Sequence, residues 1–434
     1  MLKGRDAQMT KMRFRPMLCI TLVNILSFLM LFFYFEREHM DVLYAGFVLC
    51  IVNIVVYFIL YYFEFGDIYM FLTVSMLASI GLIMLYRLDP ETGDRQLLWF
   101  LIGIVFYIIS MLAFGKLKIW DKLTIFYMIM CFILFAVTAV FGTVRNGSKN
   151  WIFIGNFSIQ PSELIKIFYC LAISCFFSRL PDEKSKKKDK RKRYWGIPLD
   201  EIILCVFVFG CMGTLAVVQR EWGTALLLYL IYLTMCFIYR TNTILKLANI
   251  FGIVFVILVG NIFLADHIGV RFAVWKDPWA DPRGAGYQIV QSLIAITSGG
   301  YFGAGIGMGS PEYIPFSESD FIFAAICEEL GIFTGIAIIL LYFLLSYRGL
   351  KTTIKNENPF LKAVSMALII CFGYQTFIIV GGVIKLIPLT GITLPFVSYG
   401  GSSMISCFIM LGMLTAVSLV PKKKKRKKAA ASRE

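Results

Sequence analysis

Apolar residues along this chain come in long blocks separated by short polar and basic stretches. A helix needs about 20 mostly apolar residues to cross the hydrocarbon of a bilayer. The blocks predict twelve such helices, at roughly 16–35, 43–63, 69–86, 97–114, 121–142, 160–179, 200–218, 223–239, 245–264, 320–346, 361–384 and 395–419. The split at Gln219-Arg220-Glu221-Trp222 reads equally as a break inside one re-entrant unit. The first block is long and lacks a small-residue cleavage site, so it reads as a retained helix rather than a signal peptide. The predicted class is all-α, a polytopic integral membrane protein. No repeat of period 20–50 is visible, and no soluble domain stands at either end.

Composition agrees. Of 434 residues, 59% are apolar and 16% charged, against about 45–50% and 25% in a soluble domain. That excludes an ordinary soluble enzyme, a disordered chain and a fibrous repeat. The 11 cysteines all fall inside apolar blocks (Cys170, Cys175, Cys205 and Cys211 are typical), with no CxxC pair. They read as reduced packing residues. Only His39 and His267 occur, which excludes a His-rich metal centre.

The net charge of +15 changes the picture through its distribution. Lys3, Arg5, Lys11, Arg13 and Arg15 precede the first block. A run from Lys184 to Arg193 follows the sixth, and Lys422 to Lys428 form the tail. With twelve spans these regions share one side, which the positive-inside rule makes the cytoplasm. Lys116, Lys118 and Lys122, and Arg348, Lys351 and Lys355, fall in short loops on that side. The charge is thus topology signalling, with anionic membrane lipids as the secondary partner and no nucleic acid. Both termini are expected in the cytoplasm, and loops 143–159 and 265–319 outside. The longer loop, with Trp275, Pro278, Trp279 and Pro282, is expected to be ordered and partly membrane-facing.

Ionisable groups inside a membrane are costly, so each is a functional candidate. Glu163 and Lys166 open the sixth helix at i, i+3, close enough to pair. They form either a structural ion pair or a substrate contact. Glu328 and Glu329 are adjacent, so at most one faces a given cavity. They suit a proton or ion path, or an inter-helix hydrogen bond, and are expected deeper in the membrane than Asp320. Asp320 stands where the long outer loop meets the tenth helix. It reads as a helix cap or as a general base at the outer surface. The glycines at 299, 300, 303, 305, 307 and 309 follow no strand and do not make a dinucleotide loop. They permit a tight loop or backbone approach to a substrate. No Walker loop, HExxH, GxSxG or DxD motif is present, so transfer from a cytosolic nucleotide donor has no support.

Four strings together resemble one family: NWIFIGNFSIQPSELIKI (150–167), DPRGAGYQIVQSLIAITSGGYFGAGIG (281–307), SDFIFAAICEELG (319–331) and LPFVSYGGSSM (394–404). In order and spacing they are similar to the SEDS proteins of shape, elongation, division and sporulation. The resemblance covers about 69–420 and leaves three parts. They are a basic N-terminus with two extra helices (1–68), a ten-helix core (69–420) with its outer loop at 265–319, and a basic tail (421–434).

The resemblance implies a peptidoglycan glycosyltransferase in the bacterial cytoplasmic membrane. It would polymerise lipid II on the outer face with a class B penicillin-binding protein as partner. Asp320 matches the essential aspartate, Trp151 the outer-loop Trp, and Glu163 and Lys166 the QPSE ion pair. Gln288, Gln291 and Ser292 match one further block, and Ser398, Tyr399 and Gly400 another. The reaction needs a base for the acceptor hydroxyl, for which Asp320 is the candidate. It also needs positive charge for the departing polyprenyl pyrophosphate, from cationic side chains or a divalent cation. No cofactor is otherwise implied. Lys149, Arg220, Arg271, Lys276 and Arg283 are expected near the outer face.

Three departures from the family pattern stand out. Asn150 replaces an Arg before Trp151, with Lys149 one position earlier. Gln219-Arg220-Glu221 loses a Pro and exchanges Asp for Glu. Phe316 and Glu318 replace Glu and His before Asp320. Lys385 has no family counterpart. The competing readings are a lipid II flippase and a non-catalytic scaffold for the penicillin-binding protein. A flippase expects ionisable groups along a full transmembrane path, and an inactive scaffold expects loss of Asp320.

Overall fold

The computed structural model describes residues 2–35, 39–117, 119–145, 148–155, 157–180, 193–194, 197–239, 247, 249, 251 and 265–419. In chain order the elements are α1 (Leu2–Tyr34), α2 (Met40–Tyr62), α3 (Ile68–Leu88), α4 (Pro90–Lys116), α5 (Thr124–Phe141), β1 (Thr143–Arg145), β2 (Ser148–Ile154), β3 (Phe157–Ile159) and α6 (Pro161–Ser178). There follow β4 (Arg193–Tyr194), β5 (Ile197–Pro198), α7 (Leu199–Gly213), α8 (Trp222–Ile238), α9 (Ala265–Lys276), α10 (Tyr287–Gly299), α11 (Ile322–Lys355), α12 (Pro359–Val383) and α13 (Gly401–Val417).

Among the described residues, 9 helices are long and apolar enough to cross a membrane, and α8 and α13 are shorter apolar helices. They cover every expected span except 245–264, which lies outside the described residues, as do the basic run at 184–192 and the tail from 420. All 11 cysteines are free, as expected.

The structure corrects the sequence map in four places. Residues 265–319 are not a loop: they hold α9, α10 and two 3₁₀ turns at Pro278–Ala280 and Pro311–Tyr313. Residues 143–159 form a small antiparallel meander, β1-β2-β3, with Thr143 opposite Trp151 and Ile152 opposite Ile159. The all-α expectation is modified to that extent. The expected helix over 395–419 starts only at Gly401, because 393–400 is an irregular segment. Finally α11 runs on to Lys355, so Arg348, Lys351 and Lys355 lie in its last turns rather than in a loop.

Two compact units interleave along the chain. The first contains residues 1–111, 291–348 and 393–419. Its centre is α3, buried on nearly all sides from Met70 to Arg87. Asp67 caps it by accepting from the Tyr69 amide at 3.1 Å, the usual role of Asp at a helix start. Helices α1, α2 and α13 pack on α3. Helix α11 runs antiparallel to it, fastened at both ends. Arg348 meets Asp67 at 3.0 Å and Arg87 meets Glu329 at 2.9 Å. Helix α11 is broken at Gly331, whose φ of 83° lies in the left-handed region that glycine tolerates without strain.

The second unit contains residues 112–290, 349–392 and 420–434. Helix α6 is its buried axis, surrounded by α5, α8 and α12. Pro161 at the start of α6 and Pro359 at the start of α12 stand where their missing N–H groups leave no bond unmade. Asn358 caps α12 through Phe360 N at 2.9 Å. Between α7 and α8 the chain breaks after a π-turn at Thr214–Val218, and Arg220 takes a φ of 56°. The polar run at 219–221 is therefore a real interruption between two helices.

Candidate functional site

Asp320 lies in the first unit, half-buried, two residues before α11. The Phe321 carbonyl accepts the first helical amides, from Ala324 and Ala325 at 2.9 and 3.2 Å. Phe321, not Asp320, therefore borders the helix. The segment entering Asp320 is held by residues far away in sequence. Ser398 Oγ donates to the Ser319 carbonyl at 2.6 Å, and Tyr399 N donates to the Glu318 carbonyl at 2.9 Å. The 393–400 segment is itself fixed by Gln96 of α4. The Gln96 amide donates to the Ser398 carbonyl at 3.0 Å and accepts from Gly400 N at 3.2 Å. The Tyr342 hydroxyl on α11 donates to the Pro395 carbonyl. Phe316 and Phe396, one in each segment, take positive φ angles of 58° and 65°. Such a conformation is uncommon outside glycine. Held strain of this kind clusters at functional sites.

The glycine-rich loop packs backbone to backbone on the start of α11. Ala304 N and Gly305 N donate to the Glu328 and Glu329 carbonyls at 2.9 and 3.0 Å. Beyond the break, Ile332 N donates to the Gly300 carbonyl at 3.0 Å. A Cβ on Gly303 would meet the Glu329 carbonyl oxygen at 2.2 Å, so that position excludes any side chain. The glycines here serve approach to a helix, where the sequence left open approach to a substrate. The two carboxylates clamp the same loop: Glu329 Oε2 accepts from Gly307 N at 3.1 Å, and Glu328 Oε1 from Ser310 N at 3.0 Å. Glu329 also pairs with Arg87, the last residue but one of α3, and so stands level with the end of that helix.

The second unit carries a separate polar cluster. Lys166 Nζ lies 2.8 Å from Glu163 Oε2 and donates to Gln375 Oε1 of α12 at 3.1 Å. The i, i+3 pair expected from sequence is thus formed, and both side chains are nearly inaccessible. Next to it Glu221 Oε1 accepts from Gln160, Ser162 and Thr224 at 2.9, 2.9 and 2.5 Å. Burial raises the Glu221 carboxyl above the ordinary carboxylate range, while the bonds from Thr224 and Ser162 pull it down. The Asp-to-Glu exchange thus leaves a carboxylate tied to the QPSE block itself.

The other candidate residues sit as follows. Lys149, on β2, donates through Nζ to the Ala139 carbonyl in the last turn of α5 at 2.6 Å. Its ammonium thus neutralises a helix C-terminus. Trp151 is half-buried on the same strand. Arg220 is exposed, and its carbonyl accepts from Ser148 Oγ at 3.1 Å. Arg271, exposed on α9, reaches the Leu389 carbonyl at 3.3 Å. Lys385 has φ 61°, and its carbonyl accepts from Trp275 Nε1 at 3.2 Å. That gives the residue without a family counterpart a structural use. On α10, Gln288 and Gln291 are half-buried and Ser292 is buried. Among the described residues no three carboxylate, imidazole or thiol groups gather to hold a metal.

Comparison with known proteins decides the family. The FtsW, RodA and SpoVE family, described as a cell cycle protein, matches residues 67–423. The chain belongs to that family. It is 33% identical over 80% of its length to the peptidoglycan glycosyltransferase RodA of Mycobacterium tuberculosis, spanning 76% of that protein. It is also 33% identical to the stage V sporulation protein E of Bacillus subtilis, covering 81% of this chain and 96% of that one. A solved structure from work on a peptidoglycan synthase complex that coordinates polymerization and crosslinking shares the fold. Its TM-score is 0.65 at 22% identity, over 81% of this chain and 97% of that chain. The crystal structure of Thermus thermophilus RodA does so at TM-score 0.57 and 22% identity, over 81% and 96%.

Within this FtsW/RodA/SpoVE member, sequence reasoning missed three residues that organise the clusters: Gln96, Gln375 and Arg87. Each is a polar group inside or at the end of an apolar helix, and that was the available signal. The family match begins at 67, so α1 and α2 lie outside it.

Proposed function

We propose that this protein is a peptidoglycan glycosyltransferase of the bacterial cytoplasmic membrane, polymerising lipid II at the outer face, with Asp320 as general base. Asp320 takes the proton of the acceptor sugar hydroxyl. The hydroxyl oxygen bonds to the donor's anomeric carbon, and the bond from that carbon to polyprenyl pyrophosphate breaks. Both termini are cytoplasmic, and the partner is a class B penicillin-binding protein that cross-links the strands.

One observation carries the reading. Two of the resemblance blocks, 319–331 and 394–404, meet at one short segment: Ser398 and Tyr399 bind the two carbonyls that immediately precede Asp320. A base must be held in place to act, and this segment is held through its own backbone carbonyls, by one hydroxyl and one backbone N–H. Positive charge for the departing pyrophosphate comes from cationic side chains or a divalent cation. A divalent cation such as Mg²⁺ would be held by one or two carboxylates together with the pyrophosphate and would keep several waters.

The flippase reading expects charge along a whole span. In α3 the paired charges lie at the two ends, Asp67–Arg348 and Arg87–Glu329, and none stands between. The scaffold reading expects loss of Asp320, which is present. The test is incubation of purified protein with labelled lipid II, alone and with a co-purified class B penicillin-binding protein. Glycan ladders support the polymerase. Absence of ladders together with lipid II translocation in vesicles would establish the flippase instead.

A further inference from the structure

Helices α1 and α2 precede the family match, yet α1 reaches the loop that fixes the start of α11. Phe28 of α1 seats against α3, edge-on to Tyr86 at 5.6 Å between ring centroids. Tyr86 in turn donates to Asp94 of α4 at 2.7 Å. Six residues further on, at the last residue of α1, the Tyr34 ring centroid lies 4.7 Å from the Arg87 guanidinium carbon. That distance is within the range of a cation–π contact. The same ring covers Gly307 so closely that a Cβ there would lie 2.3 Å from a Tyr34 ring carbon. Arg87 completes the arrangement, meeting Glu329 at 2.9 Å and donating to the Gly309 carbonyl at 3.3 Å. Tyr34, Arg87, Glu329 and the glycine loop thus form one packed stack.

The consequence follows from chain continuity. Glu329 lies nine positions after Asp320, on the helical arm between the Asp320 segment and the Gly331 break. That arm is held from two sides, by the SYGG segment at its start and by the glycine loop near its end. We propose that α1 is a brace, with Tyr34 as a positioning residue that holds the glycine loop and Arg87 against Glu329 and thereby fixes the arm carrying Asp320. The ring, not the hydroxyl, makes both contacts, so phenylalanine should serve equally well. This inference deepens the polymerase reading and rests on it for its kinetic arm only.

The experiment compares wild type, Tyr34→Ala and Tyr34→Phe as full-length protein in detergent. Hydrogen exchange is read over residues 303–310, where the amides of Ala304, Gly305, Gly307 and Ser310 bond to Glu328 and Glu329, and lipid II turnover is measured alongside. The expected result is faster exchange in that stretch for Tyr34→Ala. Its kcat should fall on the order of tenfold with KM nearly unchanged, since slight misplacement of a catalytic group is enough for such a loss. Tyr34→Phe should match wild type in both. Unchanged exchange in Tyr34→Ala, or a Tyr34→Phe protein as impaired as Tyr34→Ala, would overturn the brace. A wild type that makes no polymer would instead count against the polymerase reading, with the exchange comparison still deciding the brace.

Discussion

Ser398 Oγ sits 2.6 Å from the Ser319 carbonyl, so a residue near the start of α13 holds the residue next to Asp320. The same hydroxyl accepts from Leu394 N at 2.9 Å, which folds its own segment into a turn. Gln96 then uses both ends of its amide on Ser398 and Gly400. Gln96→Leu removes both bonds and leaves a buried carbonyl and N–H unpaired, at about 1–3 kcal/mol for each group. Turnover should fall by roughly tenfold or more through loss of positioning, with KM little changed. Steady-state kinetics on lipid II checks this. A Gln96→Leu protein with wild-type kcat would mean that the segment does not position the base.

The Arg87–Glu329 pair is buried on both sides, with side chains 9% and 1% exposed. Removing one partner of such a pair leaves a buried charge and costs about 3–5 kcal/mol, whereas replacing both by apolar groups is often neutral. Arg87→Leu and Glu329→Leu should each lower Tm strongly. The double variant should recover part of the loss, although Glu329 also holds Gly307 N. Thermal unfolding in detergent measures the cycle, and purely additive losses would contradict the coupling.

Lys166 bridges Glu163 and Gln375 inside the second unit. Lys166→Met removes the ion-pair partner of the buried Glu163 carboxylate, and Gln375→Leu removes the hydrogen bond that Lys166 donates to Gln375. The first should therefore destabilise by several kcal/mol and the second by about 1–3 kcal/mol. Unfolding midpoints of the two variants test the ranking. Equal losses would show that the Gln375 bond matters as much as the ion pair.

Burial raises the folded-state Glu221 carboxyl above its unfolded value. A raised acid binds its proton more tightly in the folded protein. Its stabilisation is fully present below the unfolded value, near pH 4.3, and is lost as pH rises through the raised value. Glu221→Gln keeps an acceptor for Gln160, Ser162 and Thr224 and removes the titration. Wild-type Tm should fall over that window, and the variant's Tm should fall less. Parallel pH profiles would show that Glu221 does not titrate differently on folding.

Much of this was legible in the sequence. Spans such as α2 and α3 follow from uninterrupted apolar blocks. The Glu163–Lys166 pair follows from helical spacing, because its members are neighbours along one turn. The partners of the clusters were not legible. Gln375 lies 209 positions from Lys166, and Gln96 lies 302 from Ser398. No local spacing encodes such distances. Helices α9 and α10, with 12 and 13 residues, fell below the length at which a span announces itself, and their stretch read as loop. The meander at 143–159 was hidden because its apolar run, divided at Gly155, is too short for a span and sits beside a helix start. The glycine loop showed its composition but not its target, since the backbone of α11 becomes a partner only after folding.

The central claim is that Asp320 is the base of a lipid II polymerase. Its direct test is polymerisation of labelled lipid II by wild type and Asp320→Asn, purified identically and matched for Tm and for binding of a class B penicillin-binding protein. The account predicts glycan ladders from wild type and none from Asp320→Asn, with folding and partner binding retained. Ladders of wild-type length and yield from Asp320→Asn would contradict it.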